Sequence, residues 1–209
     1  IDSSNGPLTI ISSHVANNSA GLAGGGIMWS TYYDHKGLIL NSTISSNSTE
    51  TEGGGIHALR GMMSVVNSMI VDNSANAGGG VYCHQGWPSL TNSTILGNQA
   101  NQGGGIYLRD GTMPVANSII AANTAAANGP DVALNNGSFT GSSHNLIGIW
   151  SEATLPGPNT IWGTTAAPVL PMVTTVTDPD GNLLYCRPNP GSPAINTGSN
   201  AQAKDADGN

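Results

Sequence analysis

The segment Asn92-Ser93-Thr94-Ile95-Leu96-Gly97-Asn98, followed by Gly103-Gly104-Gly105-Ile106-Tyr107-Leu108, decides the fold because the chain writes it repeatedly. The same phrase stands as Asn41-Ser42-Thr43-Ile44 with Gly53-Gly54-Gly55-Ile56, and as Asn67-Ser68-Met69-Ile70 with Gly78-Gly79-Gly80-Val81. A worn copy precedes them, Ser12-Ser13-His14-Val15 with Gly24-Gly25-Gly26-Ile27, and Asn117-Ser118-Ile119-Ile120 follows. The anchor falls at 12, 41, 67, 92 and 117, with spacings of 29, 26, 25 and 25 residues. A period in the twenties belongs to a solenoid, whose units bury their apolar faces against one another.

Set in register, the copies form columns. Two residues before the anchor stand Ile10, Ile39, Val65, Leu90 and Val115, always aliphatic and therefore inward. One after it stand Ser13, Ser42, Ser68, Ser93 and Ser118, and three after it Val15, Ile44, Ile70, Ile95 and Ile120. The inward parity is even before the anchor and odd after it, so two strands meet at a bend on the anchor itself. A third strand follows the glycines, with Ile27, Ile56, Val81 and Ile106 inward, Met28, His57, Tyr82 and Tyr107 outward, and Trp29, Ala58, Cys83 and Leu108 inward again.

Three short strands in about 25 residues predict an all-β chain, a right-handed parallel β-helix whose coils pair with one another. Leucine-rich repeats need regularly spaced leucines, and two-helix repeats need longer periods and good helix formers. Gly, Ser, Thr, Asn and β-branched residues dominate instead, which suits strands and turns. The coils should occupy 1–149. From Trp150 the period is lost and prolines accumulate, so 150–209 is expected to be irregular, wrapping the side or capping the end of the same domain.

Asparagine tolerates unusual backbone angles and bonds neighbouring main chain, so two buried corner ladders are expected. One is Asn41, Asn67, Asn92 and Asn117; the other is Asn18, Asn47, Asn73, Asn98 and Asn123. A polar binding stripe is the functional alternative. The glycine triplets lack the helix and Lys of a phosphate loop and are read as structural.

Five Lys plus Arg against twelve Asp plus Glu give a net charge of −7, and no basic stripe offers itself to nucleic acid. No apolar run is long enough for a transmembrane segment. The opening Ile1-Asp2 fits a processed or excerpted segment, and the polar, Lys-poor composition fits an exported protein. Cys83 and Cys186 permit one disulfide, although the inward column of Cys83 equally suits a buried free thiol. Sequons occur at Asn17, Asn41, Asn92 and Asn136, and burial on the corner ladder argues against glycans at Asn41 and Asn92.

Two places could recognise a ligand. Coil one carries an insertion, Ser30 to Lys36, with Tyr32, Tyr33, Asp34 and His35. The outward column of Met28, His57, Tyr82 and Tyr107 should form an exposed ridge, flanked by His84, Trp87 and Arg109, that suits sugar rings or simply stacks its own strands.

The repeats, Gly129-Pro130-Asp131-Val132, Ser143-His144-Asn145-Leu146-Ile147-Gly148 and Pro190-Gly191-Ser192-Pro193-Ala194-Ile195-Asn196 together resemble the bacterial choice-of-anchor Q domain, of the pectin-lyase-like β-helix superfamily, over roughly residues 8–209. They are also similar to the coils of polymorphic outer membrane proteins. The resemblance implies a secreted or surface-anchored bacterial protein, without catalytic residues to carry over. The ending Asp205-Ala206-Asp207-Gly208-Asn209 resembles a family motif that continues further.

Enzymes of that superfamily cleave acidic polysaccharides, with clustered carboxylates for calcium and a basic residue in the lyases, or paired carboxylates in the hydrolases. Here Asp34, Glu50, Glu52, Asp72, Asp110 and Asp131 fall at different corners. The loops at Asp178-Pro179-Asp180-Gly181-Asn182 and Asp205 to Asn209 open like calcium loops but lack the distal Glu; they read as turns, with Asp178, Asp180, Asp205 and Asp207 as ligands of a structural calcium if one binds. The expected function is a non-enzymatic extracellular structural or adhesive module, without cofactor, recognising a cell-surface or glycan ligand or associating with itself. The alternative is a carbohydrate-binding or polysaccharide-cleaving domain using Tyr82, Tyr107 and the 30s loop. An ice-binding array is excluded by the mixed column His14, Thr43, Met69, Thr94 and Ile119.

Overall fold

Short β-branched runs alternate along the chain with residues that accept a left-handed backbone, and the chain therefore turns rather than extends. The computed structural model describes residues 1–32, 35–154, 156–179, 181, 183–195 and 198–199. It is a parallel β-solenoid of about 6 turns with about 26 residues per turn, and no helix occurs among the described residues.

Three parallel sheets run along the stack. Sheet A contains Asp2–Ser4, Ile27–Ser30, Ile56–Leu59, Val81–Gly86, Ile106–Thr112 and Val132–Ser138. Sheet B contains Leu8–Ile11, Lys36–Leu40, Met62–Val66, Ser89–Thr91 and Val115–Ala116. Sheet C contains His14–Ala16, Thr43–Ser45, Met69–Val71, Thr94–Leu96, Ile119–Ala121, Leu146–Ile147 and Ile161–Trp162. Within the repeats, sheet register follows the sequence columns: Ile39 pairs with Val65, Ile44 with Ile70, and Ile56 with Val81. The inward columns form one continuous core, and Trp29, Ile44, Ile56, Ile70, Ile95, Ile106 and Leu108 are fully enclosed. Cys83 lies in that core as a free thiol, its pKa pushed up to about 12 by burial, and Cys186 is free as well.

The bend between sheets B and C falls on the anchor. Ser12, Asn41, Asn67, Asn92 and Asn117 have φ of 47°, 49°, 48°, 50° and 50°, a region where Asn is the best-tolerated residue after Gly. These four asparagines are not the buried ladder expected of them. Asn41 and Asn67 are exposed and Asn92 and Asn117 half-buried, because a left-handed corner directs the side chain away from the core. Burial is thus no argument against modification of the sequon at Asn41. Hydrogen bonding along this corner belongs to the next column, where the N–H groups of Ser13, Ser42, Ser68 and Ser93 donate to the hydroxyls of Ser42, Ser68, Ser93 and Ser118, at 3.1 to 3.2 Å.

The second asparagine column is a ladder throughout. The Nδ2 of Asn18, Asn47, Asn73 and Asn98 each donates at 2.9 Å to the Oδ1 of the next member, which also accepts the backbone N–H of the same donor residue. From Asn47 onward the members are buried. The third glycine of each triplet makes room for them: a Cβ on Gly26, Gly55, Gly80 or Gly105 would press on the ladder amide and on backbone of the next coil.

The C-terminal region is more regular than expected. Ile161–Trp162 continues sheet C, and Val173–Thr177 pairs antiparallel with Leu183–Pro188. The β-branched run Val173-Thr174-Thr175-Val176-Thr177 before an Asp-Gly turn explains the hairpin, and the Gly181 N–H closes it on the Asp178 carbonyl at 3.0 Å. This segment lies along sheet C: the Thr43 hydroxyl bonds the Leu183 carbonyl at 3.3 Å, and Asn117 exchanges two 2.8 Å bonds with the Ser199 backbone. The outward residue Thr43 is accordingly buried, and its register neighbour Met69 is buried as well.

Candidate functional site

The face of sheet A gathers the densest polar and aromatic chemistry. Its outward column rests on the first glycine of each triplet. Gly53, Gly78 and Gly103, with φ of 70°, 63° and 61°, fold the chain so closely beneath His57, Tyr82 and Tyr107 that a Cβ would collide with these residues. The rings then stack along the solenoid. His57 and Tyr82 lie 5.0 Å apart at 8° and Tyr82 and Tyr107 5.4 Å apart at 6°.

This geometry corrects the exposed ridge. Facing rings cover one another, so His57 and Tyr82 are buried although they point outward, while Met28 and Tyr107 are half-buried. Ring faces that a sugar would need are used within the stack, and the Tyr107 hydroxyl is held by Asn135 at 3.1 Å.

Charged groups line the column. Glu52 approaches His57 Nε2 at 3.4 Å. Burial lowers the His57 pKa more than Glu52 raises it, so the imidazole is neutral at pH 7, and its Nδ1 is buried without a hydrogen-bond partner. Burial pushes the Tyr82 phenol up to about 12, against the hydrogen bond from Arg109. Asp110 lies 3.9 Å from His84 and 4.0 Å from Arg109.

The coil-one insertion lies at the corner between sheets A and B. Tyr32 is exposed, with the Arg60 guanidinium 4.7 Å above its ring centroid, and His35 is half-buried. Tyr33 and Asp34 lie outside the described residues, as do Asp180, Asp205 and Asp207 of the calcium-like loops. Asp178 belongs to the hairpin turn. Glu50 is exposed beyond the opposite edge of sheet A, and Asp72 is exposed at a left-handed corner. Among the described residues, no group of three His, Cys, Asp or Glu side chains could hold a metal ion.

Asp131 is the polar residue whose position periodicity did not foretell. It replaces the third glycine of a triplet, since Ile106 pairs with Val132, and its carboxylate enters the core at the end of the asparagine ladder. Oδ1 accepts the Asn123 Nδ2 and N–H groups at 2.8 and 3.0 Å, and Oδ2 accepts the Ile149 N–H at 2.7 Å. Burial outweighs these three donors and raises the pKa to about 6.

Fold and side-chain columns together define a parallel β-solenoid with an amide-laddered core. Residues 92–109, which span one ladder asparagine, one glycine triplet and part of a sheet A strand, match the Chlamydia polymorphic membrane protein repeat. No curated protein and no solved structure matches the chain.

Proposed function

We infer that the chain is a rigid structural segment of a protein displayed on a cell surface, an adhesin-like β-helix that presents its corners and loops and does no chemistry of its own. The observation that carries this reading is the match of residues 92–109 to the polymorphic membrane protein repeat, at the place where ladder and glycine triplet make the stack stiff. Its support is mechanical: every coil bonds its neighbour through sheet backbone and through an internal amide, so bending the stack would break many bonds together. The order of the Gly129-Pro130-Asp131-Val132, Ser143 to Gly148 and Pro190 to Asn196 motifs supports the finer likeness to choice-of-anchor Q domains.

Placement of the acids supports a non-catalytic role. Glu52 faces His57, Asp131 closes the interior ladder, and Asp72 stands apart at its corner. The net charge of −7 is unsuited to nucleic acid, and a calcium ion, if bound at the turns, would be structural. Protease treatment of intact source cells, followed by blotting with an antibody to the folded chain, tests display. Loss of the epitope with cytosolic markers intact is expected; an epitope that survives until lysis overturns the reading.

A further inference from the structure

The two edges of sheet A differ in chemistry and are matched in position. At the corner with sheet B, Tyr32, Met62 and Trp87 are 67%, 37% and 60% exposed on three successive coils. They form one patch: Arg60 stacks on Tyr32, the Trp87 N–H bonds the Gly61 carbonyl at 2.9 Å, and Lys36 pairs in register with Met62. The patch is rigidly held. Arg60 and Gly61 are both left-handed, with φ of 62° and 69°, and Gly61 sits so close to Trp29 and Thr31 of coil one that a Cβ there would clash.

Cations concentrate at this corner. Lys36, Arg60 and Arg109 are the Lys and Arg residues of 1–149, and Arg109 lies beside Asp110. Among the described residues no carboxylate pairs with Lys36 or Arg60. Exposed Tyr, Trp and Met beside a half-buried Arg on a fixed turn have the composition of a protein contact rather than of an ordinary solvated corner.

At the opposite edge of sheet A, a shallow groove of about 500 Å³ runs across the coils. Ala75 and Ala100 line it with Asn76 and Asn101, and exposed Glu50 stands at its first coil. The bridges from Ser48 to Ser74 and from Ser74 to Gln99 set Glu50, Asn76 and Asn101 in line. Glu50 and Arg60 belong to one coil, and Asn76 and Trp87 belong to the next.

We propose that a second copy of this chain docks side by side, its Arg60 and Lys36 meeting Glu50 and its Trp87 entering the groove beside Asn76. Parallel axes with coils level bring both contacts together. The net charge of −7 makes like chains repel, and this pairing sets the cations Lys36 and Arg60 against a carboxylate, so it is the one that charge favours. Donor corner and acceptor groove are different surfaces, so each copy retains one of each and the contact extends into a row. The inference is independent of where the module is displayed, because it is tested on the purified chain.

Sedimentation velocity of the full chain, at about 20 mM and about 0.5 M NaCl, tests it. The wild type is expected to grow with concentration at low salt and to disperse at high salt. Arg60→Glu and Glu50→Arg should each reduce association about tenfold or more while keeping the parent's circular dichroism and urea midpoint. Mixed together, these two variants should regain association at low salt, because both contacts between unlike copies are complementary: Arg60 of the Glu50→Arg variant faces Glu50 of the Arg60→Glu variant, and the two reversed charges face each other. A wild type that remains monomeric at low salt, a reversal that associates like the parent, or a mixture that does not reassociate overturns the proposal; in the first case the patch is left to an acidic partner of another kind.

Discussion

Two columns of asparagine run the length of this solenoid with the same spacing, and the structure uses them for opposite purposes. Asn41, Asn67, Asn92 and Asn117 stand at or near the surface in a left-handed conformation, and their side chains do not bond one another in a ladder. Asn47, Asn73, Asn98 and Asn123 are buried, and each amide both donates and accepts along the stack. In the first column asparagine serves the backbone, because its short polar side chain tolerates φ near +50°. In the second it serves as a hydrogen-bonding unit, because no other neutral side chain of that length carries a donor and an acceptor on one planar group. Recurrence of a residue therefore marks a requirement without saying which property is required.

The sharpest break in the comparison is Asn98→Ala. It strands the Asn73 N–H in a buried site and removes one hydrogen bond each from the Asn73 Nδ2, the Ile70 carbonyl and the Asn123 Oδ1, and should cost about 3 to 5 kcal/mol. A urea midpoint close to that of the parent would show that the ladder is not needed.

Asp131 gives the next largest effect, and its sign opposes habit for a carboxylate. Its folded pKa is about 6 against an ordinary 3.8, so the folded chain holds the proton more tightly than the unfolded one. The stabilisation is complete below the unfolded value and is lost as pH rises through about 6, a change of about 3 kcal/mol. Other acids titrate too, so the measured quantity is the stability difference between the parent and Asp131→Asn. That difference should favour the parent more at about pH 4 than at about pH 7; a flat difference would sink the assignment.

At the surface column, Asn67→Ala should cost only about 1 kcal/mol, the strain of a left-handed alanine, and Asn67→Gly should be close to neutral. If the alanine variant were as damaging as Asn98→Ala, the two columns would not differ in kind. Native-state hydrogen exchange of coil three would locate the difference.

Much of the fold could be read from the repeat. Parity of apolar residues around the anchor located the bend and the inward columns, because alternation is strict in strands. The burial of Cys83 and the inward course of the serines followed from the same columns, whereas its freedom from Cys186 did not. What could not be read depends on contacts between parts far apart in sequence. Exposure of Asn41 depends on which way a left-handed corner throws its side chain, and burial of Tyr82 depends on His57 and Tyr107 closing over it. Burial of Thr43 depends on a C-terminal segment outside the repeat. The hairpin at 173–188 was legible in its β-branched run and Asp-Gly turn, but the prolines around it drew attention to irregularity instead. Asp131 lies only eight residues after Asn123, yet nothing local announces that it will finish the interior column.

That finish sets a punctuation mark for the whole stack. Every amide in the column gives its N–H in the same direction, so the rungs form a row of parallel dipoles whose positive end meets the Asp131 carboxylate, as an anion meets the start of a helix. The next place in register belongs to Trp150, since Ile120 pairs with Ile147. A coil can be duplicated or deleted ahead of Asp131 and the row still reads in one direction to the same stop. One glycine exchanged for aspartate thus marks where counting ends, and the number of coils becomes a quantity that gene duplication can vary without rewriting the core.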